Sequence, residues 1–237
     1  MTVRRERLGL TIWPRGPRLA LVMMLASGLG LVTWQVLSGG WMVVVDVDVR
    51  RWTVAAPSSG RYGLLYAVTL LGQRAVTAPI VVIAAAVVGR RTHSWRPLLG
   101  VAGSLAVLAV SGEAFKLAVG RLAPHASHIG LHAGGLSFPG GHAANIVLTG
   151  GLLLRLLSGS QAGRAHRRMM KIIWMTLSLL VGVATVVIGF HWATDVVAGW
   201  LFGGLLLIFT PSLAPPTLPS RPLTGSETEI LRPIHMP

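Results

Sequence analysis

Long apolar runs separated by short polar segments dominate this chain. Leu19–Ser38 is an apolar run of 20 residues, enough for a helix to cross the ~30 Å hydrocarbon core of a bilayer. Further runs lie at Ala75–Val88, Pro97–Val119, Ala143–Leu157, Ile172–Phe190 and Val196–Pro211. Ala143–Leu157 is short, but the preceding turn and Arg155, snorkelling outward, extend it. The pattern predicts an all-α fold, a polytopic membrane helical bundle of about six transmembrane helices. Gly39–Leu71 breaks the pattern, because Asp46, Asp48, Arg50 and Arg51 lie among valines and tryptophans. It reads as an interfacial segment with Trp41 and Trp52 at headgroup level.

Three regions follow. Residues 1–18 are a basic tail containing Pro14 and Pro17, residues 19–211 form the membrane domain, and residues 212–237 are a Pro-, Ser- and Thr-rich tail expected to be disordered. A basic leader before an apolar run also describes a signal peptide. The length of the run and the lack of a small-residue cleavage site favour an uncleaved anchor.

Composition sharpens this picture. Of 237 residues, 52% are hydrophobic and 12% charged, against about 25% charged in soluble domains, and the mean hydropathy is +0.66. The net charge of +14 suggests nucleic acid, but the cations sit in short segments between apolar runs, which fits membrane topology and excludes a groove-reading surface. Three basic clusters precede span one (Arg4, Arg5, Arg7, Arg15, Arg18), separate spans two and three (Arg90, Arg91, Arg96) and separate spans four and five (Arg164, Arg167, Arg168, Lys171). With six spans all three fall on one side, predicted to be cytoplasmic together with both termini. There is no cysteine, so disulfides, thiol nucleophiles and thiolate metal sites are excluded.

The polar residues that need a task gather at the other side. Glu113 and Lys116 share a helix face near the end of span three, as an ion pair or with Lys116 free to hold an anion alongside Arg121. Pro139-Gly140-Gly141-His142 opens span four. It is either a Pro-Gly turn or a cradle in which orphan helix N–H groups receive an anionic oxygen. His191 and Asp195 stand four apart at the start of span six. There a carboxylate can accept the imidazole Nδ1–H and leave Nε2 for attack or ligation, or can simply cap the helix.

In this order the segments resemble the type 2 phosphatidic-acid phosphatase family, which shares its core with vanadium haloperoxidases. Its motifs Lys-x6-Arg-Pro, Pro-Ser-Gly-His and Ser-Arg-x5-His-x3-Asp correspond to Lys116 through Ala123-Pro124, Pro139-Gly140-Gly141-His142, and Ala184-Thr185 through His191 to Asp195. The resemblance covers roughly residues 41–209. It implies a lipid phosphatase with His191 as nucleophile, Asp195 as its orienter and His142 as general acid. Lys116, Arg121 and the Gly140 and Gly141 amides would hold the phosphate. The chain departs from the motifs at Ala123, Gly140, Ala184 and Thr185, where the family carries arginine, serine, serine and arginine.

The expected function is hydrolysis of a phosphate or diphosphate monoester on a lipid: phosphatidic acid, phosphatidylglycerol phosphate or a polyprenyl diphosphate. The alternative is a weakened or inactive relative that binds lipid phosphate or serves as a scaffold or transport partner. The partner implied is a membrane lipid, with no nucleic acid and no cofactor. His125, His128 and His132 share one loop and raise the option of zinc or copper, but that loop brings no carboxylate or cysteine, and no metal site is expected.

Overall fold

A computed structural model gives the fold and describes residues 15–53, 59–124, 135–157, 164–210 and Leu213. The remainder of both tails and the loop bearing His125, His128 and His132 lie outside the described residues.

Among the described residues there are eight helices: α1 (Arg15–Leu37), α2 (Trp41–Thr53), α3 (Ser59–Leu70), α4 (Arg74–Arg91), α5 (Arg96–Val119), α6 (Gly141–Leu157), α7 (Arg164–Ile188) and α8 (Ala193–Phe209). The bundle is all-α, with apolar spans at Pro17–Leu37, Gly60–Arg91, Arg96–Val119 and Arg164–Ile188, and with α6 and α8 as shorter apolar helices. Local chemistry sets the ends. Pro97 occupies the first turn of α5, where its missing N–H is harmless, and Gly120 stops that helix in a left-handed conformation (φ 67°) with its N–H on the Lys116 carbonyl. At the last turn of α8, Arg18 donates to the Ile208 carbonyl (2.8 Å) and Arg155 to the Thr210 carbonyl (3.3 Å), where cations complement the helix dipole.

The two shorter helices lie inside the bundle. α6 and α8 meet along a seam of small residues. A Cβ on Gly199 would lie 2.3 Å from the Gly140 carbonyl oxygen, and one on Gly203 would lie 2.5 Å from that of Ala144. Such close backbone approach is how helices gain packing energy where lipid offers no hydrophobic contrast. Gly150 and Gly151 abut Trp174 and Leu207, so these glycines serve contacts within the bundle. Leu148 and Leu152, one turn apart, are fully buried with Val81 of α4, Val101 of α5 and Phe202 of α8. The outer faces keep apolar residues such as Met24, Ile83, Val110 and Met175 exposed, as lipid requires.

The interfacial reading of Gly39–Leu71 understates its order. The segment contains α2 and α3, and α3 leads through a break at Leu71–Gln73 into α4, so span two runs over Gly60–Arg91 instead of Ala75–Val88. The break is held by a buried amide: Asn145 of α6 donates to the Gly72 carbonyl (2.9 Å) and to Thr77 Oγ1. α3 packs along α7, with Tyr66 edge-on to Phe190.

Candidate active site

One end of the bundle collects the start of α6, the turn between α7 and α8, the end of α5, and α2. The α7 helix closes on the Thr185 carbonyl, which receives the N–H groups of Gly189, Phe190 and His191. Gly189 takes φ 90°, a conformation only glycine adopts freely. This turn aims the His191 ring at the first turn of α6. After α5 the chain pairs briefly with the segment before α6: Leu122 bridges Leu136, and Ser137 N–H donates to the Arg121 carbonyl (2.8 Å). The bond between Phe138 and Pro139 is cis.

His191 is 8% exposed. Its Nδ1 lies 3.1 Å from the Ser137 carbonyl oxygen, which can only accept, so Nδ1 carries the proton. Nε2 faces His142 Nδ1 at 3.3 Å; in neutral His191, Nε2 is the lone-pair nitrogen and His142 Nδ1–H the donor between the rings. His142 also stacks on Phe190 at a centroid distance of 6.3 Å. Asp195 Oδ2 is 3.8 Å from His191 Nδ1, beyond hydrogen-bond range. The carbonyl of Ser137, rather than the Asp195 carboxylate, fixes the tautomer.

Asp195, fully buried, is engaged elsewhere. Oδ2 accepts the Trp192 N–H at the head of α8 (2.9 Å), and Oδ1 accepts Arg121 Nη1 (2.8 Å). Arg121 also donates to Thr194 Oγ1 (2.6 Å) and to Asp46 Oδ2 (2.7 Å), and its guanidinium covers the Trp192 ring at 5.3 Å. Asp46, 1% exposed, reaches from α2 to accept the Thr194 N–H (2.9 Å) and hydroxyl (2.5 Å). One cation thus bridges two buried carboxylates, and those carboxylates cap α8 where its orphan N–H groups and dipole favour negative charge.

The structure therefore joins His142, His191, Asp195, Arg121 and Gly140 in one chain of contacts. The Gly140 N–H donates to the Asp195 carbonyl (2.8 Å), and a Cβ on Gly140 would lie 2.7 Å from that same oxygen. Gly141 opens α6, and a Cβ there would meet open space. Lys116 Nζ pairs with Glu113 at 3.1 Å; its ammonium bonds to none of the other site residues. Thr185 is fully buried, with its hydroxyl on the Gly182 carbonyl (2.8 Å). Among the described residues no three His, Asp or Glu side chains cluster as metal ligands.

Sequence reasoning missed Asp46, Ser137, Trp192, Thr194 and Asn145. The available signal was Asp46 itself, a carboxylate in a valine-rich stretch that had to find a cation if buried. Ser137 acts through its backbone, which no side-chain motif reports.

The comparisons with known proteins agree with this architecture. The chain is similar over 79% of its length, and over 93% of the other chain, to the crystal structure of a transmembrane PAP2 type phosphatidylglycerolphosphate phosphatase from Bacillus subtilis, with a TM-score of 0.67 and 24% identity. That likeness speaks for the fold alone. No curated protein matches the sequence. The model of the PAP2 superfamily matches residues 97–217, a stretch that holds Lys116, Arg121, His142, His191 and Asp195 and leaves out Asp46. On the strength of that match, the chain belongs to the PAP2 superfamily.

Proposed function

We propose that this protein hydrolyses a phosphate monoester or diphosphate on a membrane lipid, using His191 as the nucleophile. The observation that carries the reading is the histidine pair: His191 Nδ1 is held at 3.1 Å by the Ser137 carbonyl and its Nε2 is turned to His142 Nδ1 at 3.3 Å. In the first step His191 Nε2 forms a bond to phosphorus and the bond from phosphorus to the lipid oxygen breaks. His142, entering the step as the imidazolium, gives one proton to that leaving oxygen and becomes neutral. Water then attacks the phosphohistidine as His142 takes a proton from it, inorganic phosphate departs, and both rings return to their starting forms.

The pair must part for this to happen. Reacting atoms approach to about 3–3.5 Å, so a phosphoryl group cannot stand between nitrogens 3.3 Å apart. Opening the contact gives up a hydrogen bond worth about 1 kcal/mol net, which anion binding must exceed. Lys116, Arg121 and the amides of Gly140 and Gly141 are the proposed holders. The positive-inside pattern supports a reading with the basic clusters and both termini in the cytoplasm and the histidine pair on the outer side. The candidate substrates are phosphatidic acid, phosphatidylglycerol phosphate and a polyprenyl diphosphate, and the structural neighbour is a phosphatase of the second of these.

One observation favours a second reading, a weakened enzyme or a binder without turnover. Arg121 and the Gly140 N–H already have partners within the protein, and a missing preorganised donor commonly costs about 3 kcal/mol in the barrier. The test is a panel of the three lipid phosphates offered to the purified chain and to His191→Ala, with release of inorganic phosphate measured. Release by the native chain that vanishes in His191→Ala supports the first reading. Lipid-phosphate binding without release supports the second. Release that survives His191→Ala removes the proposed nucleophile.

A further inference from the structure

The opposite end of the bundle carries a second arrangement that the histidine site does not use. A cavity of about 380 Å³ opens between the end of α6 and the start of α7, lined by Arg164, Arg168 and Lys171 together with Leu154 and Met170. A second cavity of about 210 Å³ runs between α4, α6 and α7, lined by residues such as Ile80, Ile146, Ile173 and Leu177. Leu154 and Met170 line both, so the basic hollow adjoins the apolar groove.

The chemistry of the two parts differs sharply. The polar atoms along the groove are already satisfied: Trp174 Nε1 donates to the Ile146 carbonyl (3.1 Å), Thr149 Oγ1 to that of Asn145 (2.7 Å) and Thr77 Oγ1 to that of Gln73 (3.1 Å). The groove thus offers hydrocarbon alone. On α6 it extends from Ile146 to Leu154, about 12 Å at 1.5 Å per residue, close to half of a ~30 Å hydrocarbon core. The basic hollow has no carboxylate in its lining, and the ion pairs of Asp46, Asp48, Glu113 and Asp195 are formed on α2, α5 and α8.

We infer that the α6–α7 hollow and its groove bind one anionic phospholipid of the leaflet at the basic end, with the phosphate among Arg164, Arg168 and Lys171 and one acyl chain along α4, α6 and α7. Charge complementarity selects the headgroup, as for basic pockets between transmembrane helices generally, and groove length limits the chain to a single leaflet. This lipid is distinct from the proposed substrate, whose phosphate belongs at the other membrane face.

The test uses the full chain purified in detergent, equal amounts of dioleoyl phosphatidylglycerol and dioleoyl phosphatidylcholine, and native mass spectrometry to count retained lipid. Phosphatidylglycerol is a phosphodiester without a terminal phosphate, so turnover at the histidine pair does not enter the readout. The expected result is preferential retention of phosphatidylglycerol. Each cation near the surface contributes about fivefold, so the triple variant R164Q/R168Q/K171Q should weaken retention on the order of a hundredfold. R90Q/R91Q/R96Q removes the same charge outside the lining of the hollow and should leave retention within about twofold of the parent, because the attraction falls off with distance from each cation. Ile173→Trp fills the groove from the lipid side without altering charge, and should lower retention while thermal unfolding stays unchanged. Equal retention of the two lipids, equal loss in both triple variants, an Ile173→Trp protein that retains as the parent does, or displacement by soluble sn-glycerol 3-phosphate, which marks a free-phosphate site, would each overturn the inference.

Discussion

Gly140→Ser restores the residue that the family motif carries and should nevertheless damage this protein. The φ angle of Gly140 is not in the left-handed region, so the obstacle is space. A Cβ would stand 2.7 Å from the Asp195 carbonyl oxygen, 3.0 Å from its carbon and 3.3 Å from the Val196 Cα. All three are backbone atoms of the first turn of α8, which cannot swing aside as a side-chain tip does. Overpacking of this kind costs about 1–3 kcal/mol. Parting the helices also weakens the bond from Gly140 N–H to the Asp195 carbonyl, about 0.5–1.5 kcal/mol. A loss of about 2–4 kcal/mol corresponds to a fall in Tm of roughly 5–15 °C for a chain of this size. Thermal unfolding in detergent measures it, and Gly140→Ala separates the Cβ from the hydroxyl, since both variants share the clash. Lipid-phosphate release should fall by about a hundredfold, because a shift of ~1 Å at His142 costs about that much. A serine variant as stable as the parent and faster in release would refute this packing argument.

Three other outcomes follow from the same contacts. Asp46→Ala leaves Arg121 short of one buried partner and should lose about 3–5 kcal/mol of stability, with Asp46→Asn losing less; thermal unfolding of both variants checks this. Asn145→Leu removes the donor that holds the break between α3 and α4, and should lower stability by about 1–3 kcal/mol; protease sensitivity at Leu71–Gln73 should rise with it. Thr185→Arg, another restoring change, places a long cation where the side chain is fully buried, and should reduce the yield of folded protein instead of raising activity.

The spans, the bundle and the gathering of His142, His191, Asp195 and Arg121 at one end were legible because membrane helices declare themselves by length and apolarity, and because spacing along a helix fixes a face. The short helix α2 was not legible. Its Val45–Val49 stretch alternates valine with aspartate, a pattern with no helical signature, and Asp46 ties the helix to the head of α8. The hydrogen-bond partner of the His191 Nδ1 was not legible for a related reason. A spacing of four puts Asp195 near His191, but Trp192 N–H and Arg121 hold the carboxylate, and a backbone carbonyl from a distant segment takes the imidazole proton. The unusual motif residues also have packing reasons that only coordinates give: Gly140 lets α6 meet α8 backbone to backbone, and Thr185 fills the closed end of α7.

The most direct test of the account is to trap the covalent intermediate. The purified chain is mixed with radiolabelled lipid phosphate, quenched in alkali, where phosphohistidine survives, and mapped by peptide mass spectrometry. The account predicts label on His191, absent in His191→Ala and accumulating in His142→Ala if the second imidazole is also needed to activate water. Phosphate release with no label on His191, or label on another residue, would contradict it.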